Sequence, residues 1–546
     1  MKNACVVALL AAGALWTGGA AQADGLRLAR IFSSDMVLQR EMPVPVWGWA
    51  RPGETVTVAF GGQSVSAVAG ADGRWTASLA PLMASQEARP LTATAASGAA
   101  VTLSNVLVGE VWIDAGQSNM DRIFAIDVKD GFEAQKATVA TANDPMIRFI
   151  KPDFFASYEP MDDFDEFRFR GMKWDAITTQ TILKSSSLPY YFAENLRKKL
   201  HVPLGLVQLA VSGTNGLAWT RQDLAERDFP EKAGDRAAWS KMAEAGFASR
   251  EDFLQKEKAW REECAQAVAR GDRRLPEWPG HKPRMAVTNQ RTVLYNALVH
   301  PCGPLAARGV IWHQGEGGPY DNYHKVLENL AVQWREQHGA HLAFIWGTLA
   351  LAPGAEPAKA PGFPDGILRG SIQGQILANY SVENGGCVNF LDLGDGNLHW
   401  GAKDKAGNRM AAAARALCYG EKDLVWQSPQ LESMTLDSVR ARLKFKHAEP
   451  GLKFLFGDGA NLVSIAGEDG LFHWANVSVE GNELVVGSEK VAKPVEIMYG
   501  WTDKPVLSLI SADGRLAFPF YIRNGRPASL YNAEAAARLG PRKRPE

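Results

Sequence analysis

Hydrophobic and polar positions alternate along the two ends of the chain with a period of two residues. Near the start the alternation is clear at Val56, Val58 and Phe60, and glycine and proline turns separate the short runs. This period is typical of half-buried antiparallel strands. The same pattern returns near the end of the chain. It predicts one β-sandwich at residues 24–108 and a second at residues 425–546.

The middle of the chain shows a different pattern. Continuous apolar runs of strand length alternate there with amphipathic helical segments, which are Tyr190–Leu200, Tyr323–Gln337 and Lys403–Leu417. Such apolar runs are typical of strands buried on both faces, and their alternation with helices indicates a doubly wound parallel sheet. The predicted fold class is therefore α/β, with this sheet in a domain at residues 109–424.

One segment of this domain differs in composition. Residues 221–284 are charged and helical, with Trp239, Phe253 and Trp260 spaced among Glu, Lys and Arg. The segment directly follows the loop of Gly213, so it is predicted to fold over the sheet edge as a lid or wall. Its aromatic side chains are expected to pack it onto the rest of the domain.

A serine follows one of the apolar runs. Ser118 lies in the block Gly116–Met120, whose letters are Gly-Gln-Ser-Asn-Met, directly after Val111–Ile113. A serine on a sharp turn from a strand into a helix is exposed at the sheet edge, where its hydroxyl can attack an ester carbonyl. The alternative is a serine that caps the helix N-terminus. Three further segments favour the nucleophile.

These three segments also place polar groups directly after apolar strands. Gly213 follows one strand, Gln314 follows the next, and His399 lies with Asp395 in an Asp-rich loop after a third. In open α/β sheets the loops beyond the carboxyl ends of the strands converge on one crevice. The sequence therefore predicts that these groups meet Ser118 at one site.

The four segments resemble the SGNH hydrolases, and specifically the sialate O-acetylesterase family. The family's serine block matches Ser118, its glycine matches Gly213, its Trp-x-Gln-Gly-Glu block matches Trp312–Glu316, and its histidine matches His399. Further matches run through nearly the whole mature chain. The resemblance implies a carbohydrate O-acetylesterase of the SGNH fold that forms an acyl-enzyme on a serine.

Each matched residue has an expected role in that reaction. Ser118 is the nucleophile and His399 its general base, while the oxyanion hole consists of the N–H groups of Ser118 and Gly213 and the side-chain amide of Gln314. Asp395 is the predicted acid of the triad. The reaction requires no metal and no organic cofactor.

The histidine loop departs from the family pattern. The family reads Asp-Ile-His-Pro, whereas this chain reads Asn-Leu-His-Trp at residues 397–400. Asp395 is the first choice for the carboxylate that orients His399, and Asp392 is the second. A Ser-His dyad is the third possibility. Lys403 and Arg409, downstream, still match the family.

The sequence is also compatible with other functions. The ester substrate is an acetylated sialic acid or an acetylated plant polysaccharide fragment such as xyloglucan, xylan or pectin. A glycosidase would pair Glu316 with Asp395, but it leaves Ser118 unexplained. A carbohydrate-binding protein with a decayed site is the alternative outside enzymes. His313 is expected to be structural.

Composition limits the partners and the compartment. The chain has 546 residues and a formal charge of −1, which gives no reason to expect a nucleic-acid or membrane partner. Residues 1–23 have the charged, apolar and small-residue regions of a secretory signal, so we expect a periplasmic or secreted enzyme. The four cysteines beyond them match no metal-site spacing.

Overall fold

A computed structural model describes most of the chain. The described residues are 25–230, 240–318, 322–351, 361, 368–437, 439–449, 451–457, 459, 461–500 and 505–528. The predicted signal at 1–23 lies outside them. Within these ranges no helix combines the length and apolarity that crossing a membrane would need.

Strands dominate the two ends of the chain, and helices the middle. The strands are β1 (Arg27–Leu28), β2 (Val37–Gln39), β3 (Val44–Trp49), β4 (Thr55–Phe60), β5 (Gln63–Val68), β6 (Arg74–Leu79), β7 (Ser85–Ala95), β8 (Ala100–Gly116), β9 (Ile147–Ile150), β10 (Asp175–Ala176), β11 (Leu204–Gln208), β12 (Gly309–His313), β13 (Ala343–Gly347), β14 (Gly385–Val388), β15 (Gln430–Asp437), β16 (Arg440–Lys446), β17 (Leu452–Phe454), β18 (Val463–Ala466), β19 (Phe472–Trp474), β20 (Asn476–Glu480), β21 (Glu483–Gly487), β22 (Glu496–Tyr499), β23 (Leu509–Ser511), β24 (Phe520–Arg523) and β25 (Arg526–Pro527). The helices are α1 (Ser118–Asp121), α2 (Phe124–Lys129), α3 (Glu133–Thr141), α4 (Ser187–Leu200), α5 (Gln222–Asp228), α6 (Arg250–Ala269), α7 (Arg284–Thr288), α8 (Tyr323–His338), α9 (Leu368–Ala378) and α10 (Lys403–Cys418).

The central sheet has the strand order β10-β9-β11-β8-β12-β13-β14. Neighbours from β9 to β14 run parallel, and only β10 pairs antiparallel at the edge. The chain adds strands first on one side of β8 and then on the other, so the order reverses at this strand. In open α/β sheets the ligand crevice lies outside the carboxyl ends of the strands at such a reversal. The mixed α/β class predicted from the sequence is confirmed.

Two hydrophobic layers cover the two faces of this sheet. Successive residues of β8 alternate between them: Val111 and Ile113 belong to one core, and Trp112 to the other. Helices α4 and α10 pack on the side of Trp112, whereas α8 packs on the opposite side. The three predicted amphipathic helices are all present and bury their apolar faces in this way.

The N-terminal strands are continuous with the central sheet. Strand β8 spans Ala100–Gly116 without interruption, pairing with β7 in its first half and with β11 and β12 in its second. The predicted boundary at residue 108 therefore lies inside a strand. Trp47 and Trp75 are fully buried in the core that also contains Val111, so they pack this part of the sheet.

The strands after residue 425 surround a core of their own. The sheet β15-β16-β21-β20 contributes Leu443 and Val486, and the sheet β19-β18-β22-β24-β25 contributes Ile465 and Ile497. The alternation of buried and exposed positions along β16 is that of a sheet with one face on this core.

The charged segment at 221–284 is helical where the structure describes it. Helices α5 and α6 belong to it, and Phe253 and Trp260 on α6 are buried against the main hydrophobic core. Their packing role is confirmed, whereas Trp239 lies outside the described residues. The chain leaves the segment through α7, which begins at the central cleft.

Candidate active site

Strand β8 delivers Ser118 through a turn that only glycine permits. Gly116 has φ +134°, and a Cβ built on it would lie 2.2 Å from the backbone oxygen of His313. A side chain at this position would therefore force β8 and β12 apart. Ser118 begins α1 directly beyond the turn, at the carboxyl end of the sheet, and lines a cleft with a volume of about 960 Å³.

Three of the predicted residues meet at this cleft. Ser118, Gly213 and His399 all line it, which agrees with the convergence expected of strand-end loops. Gln314 and Asp395 are not among the described residues that form its wall. The wall also contains Gln117 and Met285, which the sequence did not single out.

Gly213 is contacted by residues of helix α7 and of the turn that follows it. Its φ is +78°, and the thioether of Met285 occupies the space where a Cβ would lie. Asn289 donates from Nδ2 to the backbone oxygen of Gly213 at 2.8 Å, and its Oδ1 accepts the N–H of Asn215 at 2.7 Å. The N–H of Gly213 donates to no other residue in the described ranges, so it is free to bind a ligand in the cleft.

Asp121 joins the serine turn to the Gly213 loop. Asp121 on α1 accepts the N–H of Ser212 at 3.0 Å and the ammonium of Lys151 at 2.8 Å. Burial opposes ionisation of Asp121, but Lys151 and Ser212 together hold its pKa below the ordinary value. The carboxylate thus stays charged and fixes the distance between the two loops.

His399 lies in a loop that Asp395 shapes. Asp395 accepts the N–H of Asn397 and the N–H of Gly401, both at 2.9 Å. Asp392 instead forms a two-point ion pair with Arg409, at 2.6 and 2.7 Å. Across the described part of the chain, no hydrogen bond joins the His399 ring to either carboxylate. Neither predicted acid is therefore placed as a third triad member in this structure.

The charges around His399 favour its neutral form. Partial burial lowers its pKa first, and the cations of Arg122 and Lys403 lower it further. The carboxylates of Asp127 and Asp130 act in the opposite direction but do not reverse the shift. A neutral imidazole at neutral pH is what a general base requires.

Asn119 links the serine turn to the histidine loop. Its Nδ2 donates to the backbone oxygen of Leu398 and to Oε1 of Glu316, both at 3.1 Å, and its Oδ1 accepts the ammonium of Lys403. That ammonium also lies 3.7 Å from the ring centroid of Trp400. Trp400, which replaces the family's proline, thus stabilises the buried ammonium of Lys403 through a cation–π contact.

The amide of Gln314 is turned into the protein. Its Nε2 lies 3.0 Å from Oε1 of Gln117 and 3.1 Å from the backbone oxygens of Thr214 and Gly318. The side chain is fully buried. In this structure its two hydrogens already have protein acceptors, so the amide is not placed to bind an oxyanion in the cleft, as the sequence had predicted.

Glu316 and Asp395, the two carboxylates of the alternative glycosidase, each bind other groups. Burial raises the pKa of Glu316, and its Oε1 accepts the bond from Asn119, while Asp395 is committed to its own loop. His313 is also structural: burial and the charge of Lys403 lower its pKa to about 3, and its ring packs near Phe390. The expectation for His313 is confirmed.

Among the described residues, the cysteines form no disulfide and the acidic, histidine and cysteine side chains form no metal site. The thiols of Cys264, Cys302, Cys387 and Cys418 form no disulfides. No group of three or more His, Cys, Asp or Glu side chains is arranged to hold a metal ion among the described residues.

The parallel sheet and a cleft lined by a serine, a glycine turn and a neutral histidine define an α/β protein with the groups for hydrolysis. The chain is 26% identical over 443 residues to the sialate O-acetylesterase of Mus musculus, covering 74% of this chain and 76% of that protein. It is 25% identical over 450 residues to the sialate O-acetylesterase of Homo sapiens, covering 76% and 75%. No family model matches the chain.

A solved structure agrees with these relatives. The crystal structure of XAC1771, a novel carbohydrate acetylesterase from Xanthomonas citri, superposes with a TM-score of 0.70 at 26% identity, covering 91% of this chain and 99% of that one. The chain is thus a homologue of the sialate O-acetylesterases, as its sequence motifs predict.

Proposed function

We propose that this protein is a carbohydrate O-acetylesterase that works through an acyl-enzyme on Ser118. The observation that carries the proposal is the meeting of Ser118, Gly213 and His399 at one cleft in a homologue of the sialate O-acetylesterases. A decayed binding protein would have no need to keep a neutral histidine and a free glycine N–H beside the serine.

The reaction follows from these groups in two steps. Ser118 Oγ attacks the acetyl carbonyl while His399 takes the hydroxyl proton, and the N–H groups of Ser118 and Gly213 stabilise the oxyanion. The carbon–oxygen bond to the sugar then breaks, and His399 returns the proton to the sugar oxygen. Water attacks the acetyl-enzyme in the same manner and releases acetate and free Ser118.

The loop of His399 is held in place although no carboxylate is hydrogen-bonded to the His399 ring in the described ranges. Asp395 fixes the loop through the two backbone N–H groups it accepts, and Asn119 ties Leu398 to the serine turn. We propose that Ser118 and His399 act as a dyad in this conformation. Asp395 is then a positioning residue and Asp392 a structural one.

The substrate class rests on the relatives. The named relatives act on sialate O-acetyl groups or on carbohydrate acetyl groups, so we propose an O-acetylated saccharide for this chain. Acetylated sialic acids and acetylated plant polysaccharide fragments are the two candidates. The SGNH architecture with flanking sandwiches at 24–108 and 425–546, and export directed by residues 1–23, belong to the same proposal.

Acetate release from acetylated xylan, xyloglucan, pectin and sialoglycans tests the proposal, with p-nitrophenyl acetate and p-nitrophenyl glycosides beside them. We expect acetate from at least one saccharide and from the acetate ester, and no nitrophenol from the glycosides. Glycoside cleavage would indicate the glycosidase, and saccharide binding without any turnover would indicate the decayed binding protein.

A further inference from the structure

The side chain of Gln117, directly before the serine, has a defined orientation. Its Oε1 accepts the backbone N–H of Gly317 at 3.3 Å and Nε2 of Gln314 at 3.0 Å. A backbone N–H only donates, so the atom that faces it must be the amide oxygen. The amide nitrogen of Gln117 therefore points the other way.

The orientation of Gln314 is fixed independently. Its Nε2 lies beside the backbone oxygens of Thr214 and Gly318, which only accept, and its Oε1 accepts the hydroxyl of Tyr323 at 2.6 Å. The two backbone oxygens thus identify which end of Gln314 is the nitrogen, and the Tyr323 hydroxyl is compatible with that orientation. Gln314 must donate to Gln117, and the two amides form a directed chain.

This chain leaves Nε2 of Gln117 as an unused donor at the cleft. It donates to no residue in the described ranges, although Gln117 is 4% exposed and lines the cleft beside Ser118. Nε2 is not one of the buried side-chain atoms that lack a partner, so it keeps access to solvent at the cleft. Unused donors aimed at a site are expected where charge develops during a reaction.

We propose that Nε2 of Gln117 is the third donor of the oxyanion hole, beside the N–H groups of Ser118 and Gly213. The proposal rests on the acyl-enzyme function above. Gln314, which the sequence predicted in this role, acts indirectly. It is a positioning residue that holds the amide of Gln117 with its nitrogen toward the cleft.

Gln117→Glu is the sharpest test, because it replaces only Nε2 by oxygen and keeps the acceptor for Gly317 and Gln314. Gln117→Met removes the donor without adding charge. Losing one oxyanion donor typically lowers kcat by about 10²–10³, and we expect this loss in both variants. KM for p-nitrophenyl acetate should change by less than about threefold, since the bond strengthens only in the transition state.

A double-mutant cycle separates the roles of the two amides. If Gln314 acts through Gln117, Gln314→Met lowers kcat, and Gln117→Met with Gln314→Met is no slower than Gln117→Met alone. Gln333→Met is the matched control, since Gln333 is a buried glutamine on α8 away from the cleft. It should lower the melting temperature and leave kcat intact.

The outcomes separate this proposal from the function on which it rests. An active wild type whose kcat survives Gln117→Met overturns the proposal, even if Gln117→Glu is slow, since added charge alone would explain the latter. Additive losses in the cycle overturn the role of Gln314. A wild type without esterase activity would instead overturn the proposed function.

Discussion

The side-chain amide of Asn119 donates to the backbone oxygen of Leu398 at 3.1 Å, which joins the turn of Ser118 to the loop of His399. The two residues are adjacent to Ser118 and His399, yet they are far apart in the sequence. The His399 ring has no hydrogen bond to a carboxylate in the described ranges. We therefore expect this bond, and the Lys403 ammonium that Asn119 also binds, to position the proposed catalytic pair.

Lys403→Met should shift the pH dependence of kcat/KM. The buried ammonium lowers the pKa of His399, so its removal raises that pKa. Arg122 still lowers the pKa in the variant, and Asp127 and Asp130 still raise it. The acid limb of the pH profile moves to higher pH, because more histidine is protonated at a given pH. Lys405→Met, on the exposed face of the same helix, should not move the profile.

The same lysine should make stability depend on pH. Burial lowers the pKa of Lys403 from 10.5 to about 7. Between these values the unfolded chain binds more protons, so this group makes the folded state more stable as the pH rises through the window. Melting temperatures across the window should show that rise in the wild type, and a smaller one in Lys403→Met. An identical slope in both proteins contradicts the assignment.

Asp114 should destabilise the fold at neutral pH. It is fully buried on β8, neither carboxyl oxygen has a hydrogen-bond partner among the described residues, and burial raises its pKa well above the ordinary value. The folded state keeps this proton while the unfolded chain loses it, so stability falls as the pH rises above the unfolded pKa.

Asp114→Asn removes that dependence. The variant should gain melting temperature over the wild type at about pH 8, and the gain should shrink toward about pH 4. Asp437→Asn, at an exposed carboxylate of the C-terminal sheet, is the control for buffer effects. A gain that is the same at both pH values would mean that ionisation of Asp114 is not the cause.

Asp395→Asn should lower kcat by more than Asp392→Asn does. An amide cannot accept both N–H groups that Asp395 accepts, so the loop of His399 loses one of its two ties. Asp392 is paired with Arg409 away from the cleft, so its loss acts mainly on stability. Steady-state kinetics with p-nitrophenyl acetate give the ranking, and the reverse ranking would point to Asp392 as the acid.

Much of this site was predictable because strand order fixes where loops meet. The apolar runs before Ser118 and Gly213 identify buried parallel strands, and the carboxyl ends of such strands share one edge. The partner of the Gln314 amide was not predictable, since Tyr323 and Thr214 reach it only through the fold. For the same reason the sequence suggested Asp395 as an acid but not its bonds within its own loop.

The position of Met285 beside Gly213 was also not predictable from the sequence, and it leads to a specific prediction about the acyl group. Met285 lines the cleft beside Gly213, where its thioether fills space next to the glycine, so we expect it to limit the length of the acyl group. Met285→Ala should raise kcat/KM for the butyrate ester relative to the acetate ester by about tenfold, the scale of one or two methylenes in a pocket. Met172→Ala, elsewhere on the cleft wall, should leave the ratio unchanged.

The central claim is that Ser118 carries the acetyl group, and the rate of acetate release by Ser118→Ala tests it most directly. With a substrate that the wild type deacetylates, the variant should release no acetate above background while it keeps the wild-type melting temperature, since the hydroxyl adds little packing. Acetate release near the wild-type rate would contradict the account.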